Sequence, residues 1–217
     1  MKVIITGTTG MVGEGVLLVC LEHPAVTDVL VINRRPLNRQ HPRLKELLLA
    51  DFTRLESVSE QVKGYDACFF CAGVSSVGMD EAKYHALTYD LTLTFAGKLA
   101  SLQPEMVFTY VSGKHTDSSE KGRTMWARVK GKTENALQRL PFKATYNFRP
   151  GLMKPVPGQQ NVKSVFRVFL TLYPLFALIS PGFTCTLQEV GLAMIHAVSK
   201  GYHSPILEVP DIKELAR

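Results

Sequence analysis

The stretch Val3-Ile4-Ile5-Thr6-Gly7-Thr8-Thr9-Gly10-Met11-Val12-Gly13 reads as a short β-run passing into a glycine-rich turn, and Val16-Leu17-Leu18-Val19 continues it as a helix. Strand, glycine turn and helix in that order form the first unit of a dinucleotide-binding domain. Glycines allow backbone angles closed to other residues, let a diphosphate approach the main chain, and let the helix pack closely on the strand. The helix N-terminus then presents unpaired N–H groups and a partial positive charge to an anion. The spacing is G-x-x-G-x-x-G rather than G-x-G-x-x-G. Gly7, Thr9, Gly10, Met11, Val12 and Gly13 are the expected contacts.

Working outward, apolar runs alternate with helical patterns, which implies a parallel sheet covered on both faces. Strands are expected at 2–6, 28–32, 46–50, 66–71, 105–111, 143–148 and 205–209. Helices are expected near 12–22, 55–63, 79–102, 120–139, 161–178 and 187–199. Thr186-Leu187-Gln188-Glu189 is a capping box for the last helix, and Gly201 ends it. Right-handed crossovers require the doubly wound order 3-2-1-4-5-6, with the ligand crevice at the carboxyl ends of the strands. The expected fold is therefore a Rossmann-type doubly wound α/β sheet in one domain, 1–217. Residues 151–217 supply a small extension on the substrate side.

The bulk composition fits this. The chain has 217 residues, 46% hydrophobic and 20% charged, enough for a sizeable core and unlike a disordered segment. Cys20, Cys68 and Cys185 sit mostly in apolar runs, as reduced thiols do in a cytoplasmic protein, which is the expected location. Cys68 and Cys71 have C-x-x-C spacing, but inside a strand residues three apart face opposite ways, so no metal or redox pair is expected. A net charge of +6 admits a nucleic-acid partner. Yet only Arg34, Arg35, Arg39, Arg43 and Lys45 cluster, no recognition motif is present, and nucleic acid is not expected. Residues 165–183 are apolar, but Arg167, Pro174 and Pro181 break the run. It is expected to cover the core, line a pocket or form a homo-oligomer or partner surface, not to span a membrane.

Cofactor choice is read at the second strand. A ribose-binding acid is expected ~20 residues beyond the last glycine, but the sequence there is Asn33-Arg34-Arg35-Pro36. Two forked donors suit a 2′-phosphate, which a carboxylate would repel. NADP is expected over NAD. Asp51-Phe52 after the third strand offers a carboxylate for the adenine amino group and an aromatic wall, and Ala72-Gly73 after the fourth lets a ribose lie against the backbone.

Together with Val111-Ser112-Gly113, Val129-Lys130-Gly131, Glu134 and Arg149-Pro150-Gly151, these motifs resemble the short-chain dehydrogenase/reductase superfamily. The nearest likeness is to its compact, atypical NAD(P)-dependent epimerase/dehydratase-like (TIP30-like) members. The resemblance implies an oxidoreductase or epimerase acting on a small carbonyl or hydroxyl substrate. It gives Ser112 and Lys130 catalytic roles and both a place at the cofactor together with Pro150. It also implies a tyrosine four residues before Lys130, where Trp126 stands instead. Indole N–H only donates and does not ionise near neutral pH, so Trp126 is no general acid or base. Losing such a proton donor typically costs about 10²–10⁴-fold in rate. Tyr110, Lys114 and His115 are the titratable groups nearby, though core packing or loop exposure explains each. The alternative reading is a non-catalytic NADPH-binding protein that senses cofactor or regulates a partner.

Overall fold

A computed structural model of the chain describes residues 1–162 and 173–217. Six strands, β1 (Lys2–Thr6), β2 (Asp28–Asn33), β3 (Leu44–Leu48), β4 (Ala67–Phe70), β5 (Val107–Val111) and β6 (Ala144–Phe148), pair in the order 3-2-1-4-5-6. Every pairing is parallel, so each connection must cross a face of the sheet. Two further strands, β7 (Leu152–Lys154) and β8 (Thr184–Thr186), form a separate parallel ribbon, and β9 (Ile206–Leu207) extends the main sheet beside β6.

Alternation along the strands sends side chains to two cores. Val3, Ile5, Val29, Val31, Phe69 and Phe148 meet α1 (Met11–Glu22), α7 (Leu187–Lys200) and α8 (Val209–Leu215). Ile4, Leu30, Ile32, Phe70, Phe108 and Tyr110 meet the other layer, which includes α4 (Leu91–Leu102) and α5 (Met125–Leu137). Phe70 is central there, with the rings of Phe95, Phe108 and Tyr110 at 5.4, 5.9 and 6.2 Å. Each fully buried ring of this kind contributes roughly 1.5–3 kcal/mol. On the first face, a Cβ at Gly191 would lie 2.8 Å from Cβ of Val19, so that glycine lets α7 sit close on α1.

Several boundaries differ from the sequence expectation, each for a local reason. Asp51 caps a 3₁₀ turn, Phe52–Val58, that runs into the short α2 (Ser59–Val62), where one helix over 55–63 is expected. Asp80 caps α3 (Glu81–His85), and a π-helical stretch, Ala86–Asp90, joins it to α4. The helix expected from 120 starts at Met125, because Asp117 holds the preceding loop by accepting from Ser119 N at 3.0 Å and Gly122 N at 2.6 Å. The strand expected over 205–209 stops at Leu207, where Glu208 and Asp211 form a capping box for α8. Of the helix expected over 161–178, residues 163–172 lie outside the described residues, 161–162 are not helical, and α6 (Tyr173–Ile179) is described. The extension beyond the main sheet is the β7–β8 ribbon with its loops, while α7, β9 and α8 return to the sheet.

Candidate active site

The crevice opens between the carboxyl ends of β1 and β4, where the strand order reverses. Gly7 has φ +72°, and a Cβ there would lie 2.6 Å from Ala72 N. A Cβ on Gly13 would fall 2.3 Å from Gly7 O, so both positions exclude any larger residue. Gly10 precedes α1, its N–H donates to Gly7 O at 3.0 Å, and no side chain caps the helix. The N–H groups of Met11, Val12 and Gly13 therefore head the helix without a side-chain acceptor, which fits a diphosphate.

One cleft of about 210 Å³ is lined by Gly7, Thr9, Gly10, Asn33, Arg34, Arg35, Phe52, Cys71, Ala72 and Gly73. Nine of the residues expected from the sequence thus meet in one place. Arg34 and Arg35 are exposed, and their guanidinium groups make no hydrogen bond or ion pair among the described residues. Asn33 is buried instead, its amide donating to Thr8 Oγ1 at 2.8 Å and lying 3.4 Å from Glu46 Oε1. Glu46 also accepts from Leu37 N at 2.8 Å, so Asn33 and Glu46 fix the turn that carries the two arginines. A small adjoining recess between Arg34, Phe52, Ala72 and Gly73 is closed by Val74, Leu87 and Leu91, which the sequence did not single out.

The rest of the basic cluster finds partners within the chain, Arg39 lying 3.8 Å from Glu14. Arg43 donates to the carbonyls of Leu21, His23 and Val26 behind α1, and Lys45 pairs with Asp28 at 3.9 Å. Asp51 is exposed and does not line the cleft. Its Oδ1 accepts from Thr53 N and Oγ1 at 2.9 and 2.7 Å, and the side-chain bond to Thr53 chiefly holds its carboxyl below the usual range. Gly73 and Phe52 do reach the cleft, as expected.

A larger cleft of about 560 Å³ continues past the glycine turn between Thr9, Gly10, Met11, Ser75, Gln160, Asn161 and Val162. Its far wall is tied to α1. Glu14, 2% exposed, accepts from Gln160 N at 2.8 Å and Asn161 N at 2.7 Å, and Gln159 Nε2 donates to Met11 O at 2.7 Å. Sequence reasoning missed this loop, because isolated polar residues in an irregular segment carry no periodic signal.

Ser112 and Lys130 come together at the end of β5. Lys130 Nζ donates to Ser112 O and lies 3.5 Å from Val111 O, with the Tyr110 ring 6.0 Å away. Burial pushes the Lys130 amine down to about 8, against the opposing pull of Glu134. Ser112 is buried, and its hydroxyl donates to Glu134 Oε1 and lies 3.1 Å from Phe148 O. Glu134 in turn pairs bidentately with Arg149, which reaches Ser118 Oγ at 2.6 Å and Glu208 at 3.4 Å. Sequence reading noted Glu134 and Arg149 but gave them no role; two charges that cannot be buried singly were the available clue.

Trp126 lies one turn before Lys130 on α5 and is half-buried. Tyr110 is buried, and burial raises its phenol far above its ordinary value, so it is a core tyrosine. Lys114 Nζ donates to Gly182 O at 3.1 Å, and His115 is exposed at φ +67°. Pro150 is buried, with its carbonyl accepting from Lys114 N at 2.9 Å. Ser112, Lys130 and Pro150 line neither cleft.

The sequence profile of the NAD dependent epimerase/dehydratase family matches residues 3–112, half of the chain and all of the glycine cleft. The chain belongs to that family. Membership supports a nicotinamide dinucleotide as the ligand class. Over 94% of the chain and 90% of the relative, the protein is 26% identical to "Protein fmp52, mitochondrial" of Emericella nidulans. It is 26% identical to HTATIP2 of Rattus norvegicus over 70% of this chain and 62% of that one. Among solved structures, MoeE5 in complex with UDP-glucose and NAD superimposes with a TM-score of 0.68 at 14% identity, covering 100% of this chain and 81% of that one. WbmF of Bordetella bronchiseptica, with NAD+, gives 0.67 at 16%, over 98% and 76%. These last two establish the shared fold.

The comparison corrects the expected location. Relatives from Emericella nidulans and Debaryomyces hansenii are both named as mitochondrial, against the cytoplasmic location expected. The cysteines were a poor guide, since Cys20, Cys68 and Cys185 are buried and report packing rather than compartment. Among the described residues, no helix is long and apolar enough to cross a membrane.

Proposed function

We propose that the protein is an NADP(H)-dependent oxidoreductase or epimerase of the short-chain dehydrogenase/reductase type, acting on a small carbonyl or hydroxyl substrate. The observation that carries this reading is the pair Arg34 and Arg35, free of protein partners among the described residues, on the rim of the cleft where a ribose-binding acid is absent. When bound, a nicotinamide dinucleotide supplies or accepts a hydride. The chain does the rest. The Met11–Gly13 amides hold the diphosphate, Phe52 walls the adenine, and Arg34 and Arg35 neutralise the 2′-phosphate.

At the reacting end, Ser112 directs its single proton at Glu134 or Phe148 O, so its oxygen retains a lone pair for a substrate hydroxyl once that reaches the buried end of β5 beyond both clefts. Lys130 lies beside Ser112 with its amine pushed down to about 8 by burial, so it is the group there suited to the proton-moving part that Trp126 cannot perform. Titration calorimetry tests the cofactor claim. NADPH is expected to bind at least about tenfold more tightly than NADH, and Arg34→Ala to remove that margin, each charge-assisted contact being worth about 1.5–3 kcal/mol. Equal affinities, or a preference for NADH, would overturn it.

A second reading rests on Trp126 and on the engagement of the Ser112 hydroxyl by Glu134. In it the protein binds NADPH without turnover and acts as a sensor or a regulator of a partner. Trp126→Tyr separates the two readings. Turnover of a carbonyl panel gained only in the variant favours the second, and robust wild-type turnover eliminates it.

A further inference from the structure

Helix α6 exposes Leu175, Phe176, Leu178 and Ile179 at 54, 37, 80 and 71%, and none of its residues is buried. Four large apolar side chains together on seven residues mark a surface that binds something apolar. The helix is not loosely attached. Tyr173 donates to Cys185 O at 2.9 Å, which ties its first residue to β8.

Three ammonium groups from separate elements ring its ends. Lys154 Nζ, on β7, lies 5.9 Å over the Tyr173 ring. Lys114 Nζ, from the loop after β5, donates to Gly182 O at 3.1 Å, and Lys213 Nζ, on α8, donates to Pro181 O at 2.8 Å. The nearby acids Asp211 and Glu214 of α8 are engaged by the Tyr202 hydroxyl at 3.0 and 3.3 Å.

From this wedge of apolar side chains within a cationic rim we infer that α6 docks on the surface of an anionic phospholipid bilayer. The apolar side chains enter the headgroup boundary while the lysines meet the phosphates. A second copy of the chain is the poorer occupant, because pairing two such surfaces sets lysines against lysines. The inference stands independently of the cofactor and of catalysis.

Flotation of the full chain with phosphatidylcholine vesicles, with and without phosphatidylserine, tests it. Binding is expected only to the anionic vesicles, and it should weaken as salt rises. The double variant Leu178→Glu/Ile179→Glu should lose roughly tenfold or more of the bound fraction, while its thermal unfolding midpoint stays at the wild-type value, since both side chains are already in solvent. Lys154→Glu/Lys213→Glu should weaken binding and flatten the salt dependence. Absence of binding to anionic vesicles overturns the inference, as does equal binding to both vesicle types. So does binding that survives the Glu variant, or a concentration-dependent dimer that the Glu variant abolishes without any vesicle binding.

Discussion

Glu134 divides its carboxylate between two partners, the Ser112 hydroxyl and the Arg149 guanidinium, and it does so almost wholly out of solvent. Removing one member of such a pair leaves the other charge buried, and this costs far more than the pair's net contribution. Glu134→Gln should therefore lower the unfolding free energy by about 3–5 kcal/mol, moderated by the half-buried Glu208 that Arg149 retains at 3.4 Å. Urea unfolding measures it; a change within experimental scatter would show the pair to be dispensable. Ser112→Ala removes only the hydroxyl and should cost about 1 kcal/mol. At this scale the sequence was an uneven guide. The glycines lining the cleft were legible because backbone geometry dictates them, and Arg34 and Arg35 line the same cleft as an expected turn after β2. Asp51 caps the 3₁₀ turn and lies off the cleft lining, since a carboxylate after a strand serves a turn as readily as a ligand.

Gly131 sits inside α5, where glycine ordinarily weakens a helix by about 1 kcal/mol relative to alanine. On helix propensity alone, Gly131→Ala would stabilise the protein. The tertiary structure reverses that sign, because a Cβ there would lie 1.8 Å from Asp117 O. The loop held by Asp117 would have to move, so a loss of about 1–3 kcal/mol is expected, read from the thermal unfolding of the variant. A gain would mean that the loop does not rest on α5. The same competition between local and distant partners decided which elements could be foreseen. The helix Leu187–Lys200 was readable from its capping box and Gly201, both of which act within a few residues. The β7–β8 ribbon was not, since strands of three residues have no period to detect. The π-helical stretch at Ala86–Asp90 likewise has no signature in residue spacing.

At the level of the molecule, the order 3-2-1-4-5-6 was foreseen because alternation and handedness leave few arrangements and the opening glycine turn favours this one. Placing the short β9 outside β6 needed the fold itself. A ligand bound across the switch point touches the ends of β1, β2 and β4 together, so it should stabilise the sheet as a unit. At 100 times its Kd, NADPH adds about 2.7 kcal/mol, which corresponds to roughly 5–10 °C in Tm for a domain of this size. A melting curve indifferent to NADPH would argue that the cleft does not hold it. Glu14 bears on how such a cleft would be redesigned. By gripping the main chain at Gln160 and Asn161 from within α1, it holds the far wall of the larger cavity without appearing on it, alongside the Gln159 bond to Met11 O. Engineering libraries confined to wall positions would leave untouched this buried anchor, whereas shortening it to Asp would release the Gln160 and Asn161 amides while Gln159 still holds Met11.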